Sequence, residues 1–378
     1  MDFSLSKEQQ LIQKTAQDYA DKSIEPIAKQ IDENNKIPDN IIKELGELDM
    51  FGIPFAEEYG GAAAGYSSYV LAMEQIAAAS SGISMVISAH TLGIGAINAF
   101  GTEEQKKKYM TPCCKGEHIA AFAFTEPASG SDPKQITSTA VREGDNFVLN
   151  GTKRFISNGA FPGPLVFFAR DTETGNISAF IIEKFCEGYS ISEPWDKIGM
   201  HGGLLLDVYL KDVKVPAANM LGAPGTGYQV LQYGISFGKV GVSSSALGGI
   251  YAAYKESIKY ATEKMHRDTP ISKFQSIRSS IAVIAEKYEA AKWMTYRLAY
   301  LADNVKNPAE FAKNAALTKD YVCDTFIDVA KEAMAVHGSY GLTSDYKVFR
   351  IWKDCIIGLQ IEGVSAMQKE IVAGVILK

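Results

Sequence analysis

Three short stretches of this chain carry residue types able to do chemistry. The first is IEGVSAMQ, residues 361–368, where a single carboxylate, Glu362, stands among Ile, Gly, Val, Ala and Met. A carboxylate in apolar company is either half of a structural ion pair or a base whose desolvation raises its pKa toward neutrality, which suits it to proton abstraction. The second stretch, FTEPASGSD at 124–132, follows a strand-like run and clusters small residues and hydroxyls. Such a loop can turn backbone N–H groups toward phosphates or flavin edges, though a plain polar loop has the same composition. The third, GTKRFISNGA at 151–160, reads as a strand edge carrying Phe155, Ser157 and Asn158, and an ordinary hairpin explains it equally well.

The elements that must position these residues fall into three blocks. Residues 1–117 read as helices: SKEQQLIQKTAQDYADKSIEPIAKQI has apolar residues at helical spacing, with Ser6 as its N-cap. Residues 118–225 change to short β-rich runs, among them NFVLNGTKRFI, PLVFFARD and ISAFIIE. From 226 to 378 the helical period returns in longer elements, with Ile277, Ile281, Ile284 and Tyr288 on one stripe and a helix over 309–336 closed by Gly338. The predicted class is α+β: an N-terminal helical domain, a middle β domain and a C-terminal four-helix bundle.

Composition excludes several functions. The 378 residues are 46% hydrophobic and 22% charged, enough to bury a large core. A net charge of −6 without a dense Lys/Arg tract argues against nucleic acid and anionic membrane as partners. The stretch GISMVISAHTLGIGAINAF, 82–100, is apolar but interrupted by His, Thr, Asn and Ser, as expected of a core helix rather than a membrane span. Five cysteines without a CxxC pair and five scattered histidines offer neither a disulfide framework nor a metal site. The start, MDFSLSKEQQ, is polar and mixed in charge, unlike a signal or transit peptide, so a reducing cytoplasmic setting is expected. No GxGxxG, GxxxxGK[ST] or HExxH occurs.

Taken in order, SLSKEQQLI, FGIPFAEEYGG, FGTEEQKKKYM, AFAFTEPASGSD, LNGTKRFISNGA, PISKFQ, HGSYG and IEG resemble the acyl-CoA dehydrogenase family of flavoproteins over essentially the whole chain. The resemblance implies that fold and FAD as cofactor. It implies formation or reduction of the α,β double bond of an acyl-CoA or enoyl-CoA thioester, with electrons exchanged with an electron-transferring flavoprotein. It implies Glu362 as the general base across the substrate from the flavin. Phe124 and Thr125 would face the flavin, Phe155 and Ser157 would lie beside its ring, and Ser131 would lie near the cofactor pyrophosphate and the CoA arm. Gly338, Gly341 and Val364 fall in cofactor-contacting motifs, and Lys239 and Gly363 at substrate-contacting positions. A homotetramer is the implied assembly.

The departures from the family pattern cluster. An Arg that reaches the FAD of a neighbouring subunit is replaced by Lys264, with Arg267 three residues on as a substitute if the helix continues that far. Ala335 and Ser339 replace Gln and Gly of Gln-x-x-Gly-Gly-x-Gly, Val364 replaces the Thr of Glu-Gly-Thr, and Ala366 replaces a further polar cofactor contact. His201, Gly203 and Leu205 replace an Arg and two hydroxyls, and Lys239 stands where Arg is frequent. An alternative expectation follows: a non-catalytic subunit or co-subunit of a heteromeric complex with weakened flavin binding.

Overall fold

In the computed structural model, which describes residues 3–377, Ser6 caps helix α1 (Lys7–Tyr19). Its hydroxyl accepts from the Gln9 N–H at 3.1 Å, and the Gln9 side chain accepts from the Ser6 N–H at 3.0 Å. This reciprocal pair satisfies donors that a helix start leaves open. Helices α2 (Ala28–Asn34), α3 (Asp39–Glu47), α4 (Gly65–Ala79) and α5 (Ser81–Phe100) follow, then the short α6 (Glu103–Gln105) and α7 (Thr111–Cys114). Among the described residues, α5 alone is long and apolar enough to cross a membrane by length and composition. Here it is a core helix, with Ile83, Ile87, Ile94 and Ile97 buried.

Strands β1 (Ala121–Ala123), β2 (Thr139–Glu143), β3 (Asn146–Ser157), β4 (Pro164–Asp171), β5 (Ile177–Glu183), β6 (Tyr189–Ile191), β7 (Leu205–Pro216) and β8 (Met220–Leu221) form one sheet. Its order is β6-β7-β3-β2-β4-β5-β8, with β1 lying parallel beside β4. Side chains alternate faces along a strand. Thus Val166, Phe168, Ala179 and Ile181 join Ile94 and Ile97 of α5 on one face, while Leu165, Phe167, Phe180 and Ile182 join Phe147 and Val208 on the other. Strands covered on both faces read as unbroken apolar runs, which is why PLVFFARD and ISAFIIE lack a polar alternation.

The C-terminal helices are α8 (Gly227–Glu263), α9 (Gln275–Asp303), α10 (Pro308–His337), α11 (Lys347–Asp354) and α12 (Ser365–Ile376). At 37 residues α8 is about 55 Å long, and α4, α5, α9 and α10 all pack along it. Asn307 caps α10, accepting from the Ala309 and Glu310 N–H groups, and Gly338 at φ +58° ends it. Of the predicted stripe on α9, Ile284 is fully buried and its neighbours are part-buried.

One expectation is corrected. The α8 helix does not continue to Arg267: it stops at Glu263, and strands β9 (Met265–His266) and β10 (Thr269–Pro270) form a hairpin with Arg267, at φ +54°, at its tip. Pro270 has no N–H to donate to a continuing helix and pairs with Met265 instead. Lys264 and Arg267 therefore do not share a helix face.

Candidate active site

Glu362 lies in the turn between α11 and α12, with φ +51°, followed by Gly363 at φ +95°. A non-glycine residue in the left-handed region costs on the order of 1–3 kcal/mol and persists only when its surroundings fix it. Three interactions do so. The fully buried Lys319 on α10 donates from Nζ to the carbonyls of Leu359 at 3.2 Å and Gly363 at 2.9 Å. The Gln368 side chain donates to the carbonyls of Glu362 at 3.2 Å and Gly363 at 2.7 Å. Gly238 on α8 leaves the space the carboxylate occupies, since a Cβ there would stand 2.6 Å from Glu362 Oε1 and closer still to Oε2.

The residue as a whole is partly exposed to a cleft, but Oε2 is sealed and has no hydrogen-bond partner. Burial pushes the Glu362 carboxyl up to about 7, against the opposing pull of the Lys239 and Lys319 ammoniums. Lys239, on α8 beside Gly238, is itself lowered to about 8 by burial, with Glu362 opposing that shift. The Glu362 N–H has no acceptor among the described residues. A carboxylate of this kind can accept a proton near neutral pH, and a free amide next to it can donate to a carbonyl oxygen.

The second and third stretches meet across the same cleft. Lys153 Nζ donates to the Phe124 carbonyl at 3.2 Å, and the Arg154 N–H donates to the Thr125 carbonyl at 2.8 Å, so β3 holds the start of the 124–132 loop. Behind it, Glu126 pairs with Lys153 at 2.7 Å and accepts from the N–H and hydroxyl groups of both Thr137 and Ser138. Burial raises the Glu126 carboxyl, but Lys153 and these donors outweigh it and hold it well below the usual carboxylate range. On β3 the register against β7 breaks between Lys153 and Ile156, and this bulge turns out Phe155, at φ +60° and 51% exposed, against Trp195. Asn158 secures the strand's end by donating to the Val86 and Ala120 carbonyls, and Lys184 donates to the Asn158 carbonyl at 2.8 Å.

These walls enclose a cavity of about 1420 Å³ that brings together Phe124, Thr125, Ser131, Phe155, Ser157, Lys239, Glu362, Gly363 and Val364. It exceeds the roughly 300–1,000 Å³ of a pocket for one small ligand, leaving room for two molecules side by side. Met85, Ala89 and Leu92 of α5 and residues 231–233 and 235–237 of α8 contribute further wall. Four predicted residues lie elsewhere. Lys264 caps the far end of α8, 26 residues or about 39 Å along the axis from Gly238, with Nζ 4.3 Å from the Tyr340 ring. Gly338 and Gly341 flank Tyr340, and Arg267 is exposed on the hairpin.

Sequence reasoning missed Gly238, Lys319, Gln368 and the Glu126–Lys153 pair. A glycine inside a long helical run was a visible signal of close approach, but its partner is 124 residues away. The pentapeptide GISFG, 234–238, also spells G-x-S-x-G. It lies mid-helix in α8 with Ser236 Oγ donating to the Gln232 carbonyl, not on the strand-to-helix elbow a hydrolase nucleophile needs.

Family models match three successive segments: the N-terminal domain of acyl-CoA dehydrogenase over residues 6–117, its middle domain over 121–213 and its C-terminal domain over 225–377. The chain is 36% identical to a short-chain specific acyl-CoA dehydrogenase of Clostridium acetobutylicum, covering all of both chains. It is 36% identical to a 3-(aryl)acrylate reductase of Clostridium sporogenes over 99% of each. Among solved structures, butyryl-CoA dehydrogenase from Megasphaera elsdenii superposes with a TM-score of 0.96 at 33% identity over the full length of both chains. A chain from a structure of the electron transferring flavoprotein of Acidaminococcus fermentans does so with a TM-score of 0.97 at 34% identity, again over all of both chains.

Proposed function

The chain belongs to the acyl-CoA dehydrogenase family, oxidoreductases acting on CH–CH bonds, and from that premise we propose that Glu362 is its general base and that its flavin is FAD. The observation that carries this reading is the Glu362 carboxylate, one oxygen sealed and unpartnered, at the wall of a two-molecule cleft whose other walls carry Thr125 and Ser157. The donor set fits a flavin: backbone and hydroxyl groups at Thr125 and Ser157, an exposed ring at Phe155, and no group among the lining residues that would repel a planar heterocycle. When bound, the flavin supplies hydride acceptance or donation at the substrate's β carbon.

The chain's own residues do the rest. Glu362 takes the α proton of the thioester, or returns it in the reductive direction, from a position fixed by Lys319, Gln368 and the gap at Gly238. Its free backbone N–H donates to the thioester carbonyl, where charge develops as the α C–H bond weakens. The apolar walls exclude water, which keeps the carboxyl pKa raised and shields the enolate-like charge. Ser131 and the polar α8 start, Gln229 and Gln232, line the cleft toward the CoA arm.

An acyl-CoA or enoyl-CoA is the substrate and an electron-transferring flavoprotein the electron partner, a reading supported by the relatives and structures named above. A homotetramer completes it: the Lys264–Tyr340 end is too far from Glu362 to grip the same dinucleotide within one chain, so it serves a neighbouring copy. A purified protein that is yellow and bleaches anaerobically with a short acyl-CoA supports the assignment. A colourless protein that FAD cannot reconstitute overturns it. The exposed, rewritten Lys264–Tyr340 end favours a second reading, a co-subunit in a heteromeric complex, and native mass spectrometry decides between the two through the presence or absence of a flavin-replete homotetramer.

A further inference from the structure

Two neutral carbonyls do not require a charged donor. Gln368 demonstrates this on the same turn, satisfying the Glu362 and Gly363 carbonyls with an amide. Yet the Leu359 and Gly363 carbonyls are met by Lys319, an ammonium with 0% exposure, and taking such an ion out of water costs several kcal/mol. What a lysine adds over an amide is charge, and of the two carboxylates that feel it, Asp320 and Glu362, the second belongs to the turn whose carbonyls the ammonium holds.

We propose that Lys319 is the positioning residue of the base: its buried ammonium pins the left-handed turn that presents the Glu362 carboxylate and supplies a counter-charge that favours ionisation of this carboxylate in an apolar wall. The inference rests on Glu362 being the base. A carboxylate alone in this wall would stay protonated through neutral pH and fail as an acceptor. Other groups face it as well: Lys239 from α8, Tyr69 from α4, and Cys323 from α10, the same helix as Lys319, while Asp320 beside Lys319 acts on that lysine and on Cys323. Lys239 also lines the cleft, whereas Lys319 does not, so Lys319 is the cation a substrate does not touch. Lys369 lies 4.0 Å from Asp320, on the solvent side of α12.

The test uses flavin-loaded full-length protein in the dehydrogenation direction. Lys319→Gln keeps donors and removes the charge; Lys319→Met removes both. In K319Q the acid limb of kcat/KM is expected to move up by about one pH unit, which makes the variant about tenfold slower at pH 6 with KM and flavin content unchanged. K319M is expected to lose a further factor of about ten, because the turn is no longer held. A folded K319Q whose acid limb stays in place overturns the proposal whether or not its rate falls, and so does loss of flavin from K319Q. If K319M does not fold, K319Q decides alone. Glu362→Gln separates the premise from the inference: an active E362Q removes the base assignment itself, whereas an inactive E362Q beside a wild-type-like K319Q removes only the role of Lys319.

Discussion

The two ends of α8 are built differently. At Gly238 the helix meets the Glu362 carboxylate, whose turn is held by a buried lysine, a buried amide and a steric gap, opposite a loop fastened through the Glu126–Lys153 pair. At Lys264, about 39 Å along the axis, the contacts are a cation over the Tyr340 ring and the stacking of Tyr260 on His337 at 4.2 Å, beside exposed Arg267, Gly338 and Ser339. The first end is over-determined, each of these contacts holding the same turn. The second is held through exposed and half-buried groups. Substitution is tolerated where a change leaves no buried group unsatisfied.

The contrast is sharpest for Glu362→Gln, which should retain flavin and lose about 10²–10⁴-fold in turnover, measured by anaerobic bleaching and steady-state assay. Lys153→Met leaves the Glu126 charge buried without its counter-ion, and should cost about 3–5 kcal/mol in urea unfolding. The Glu126 carboxyl is held low, so the stability this pair confers is present above the ordinary carboxylate pKa and lost as pH falls through the depressed folded value. Acid unfolding of wild type and Glu126→Gln should accordingly converge below that point. Gly238→Ala pushes a methyl into the carboxylate and should lower kcat by about 10²-fold with little change in fold, checked by kinetics beside circular dichroism.

Wild-type dehydrogenation should rise with pH through an apparent pKa of about 7, since Glu362 accepts a proton only when ionised, and a limb near 4.5 would contradict its burial. The smallest effect belongs to the other end: Lys264→Ala should change stability by only about 0.5–1 kcal/mol, the worth of an exposed cation–π contact. A loss of several kcal/mol there would erase the difference between the two ends.

The helix–β–helix order was legible because helical and strand periods are local signals. The Ser6 capping box and the glycine end of α10 likewise need only neighbouring residues. Phe124, Thr125, Phe155 and Ser157, which the cleft brings together, could be singled out as motifs because the runs at 124–132 and 151–160 are each contiguous in sequence. What could not be read was the support. Lys319 reaches a turn 40 residues on, Gly238 faces a side chain 124 residues on, and a buried lysine looks like a surface lysine in one dimension. Arg267 was misplaced because helix continuation depends on a proline three residues beyond it and on the hairpin pairing, Met265 with Pro270.

The gap at Gly238 also has a timetable. During synthesis the helix that contains it emerges well before the residue that fills it, and at about 5–20 residues per second the intervening 124 residues take roughly 6–25 s. Throughout that interval the glycine-bearing face of α8 has no base to shelter. The space for the Glu362 carboxylate is thus laid down in α8 well before the side chain that fills it is made.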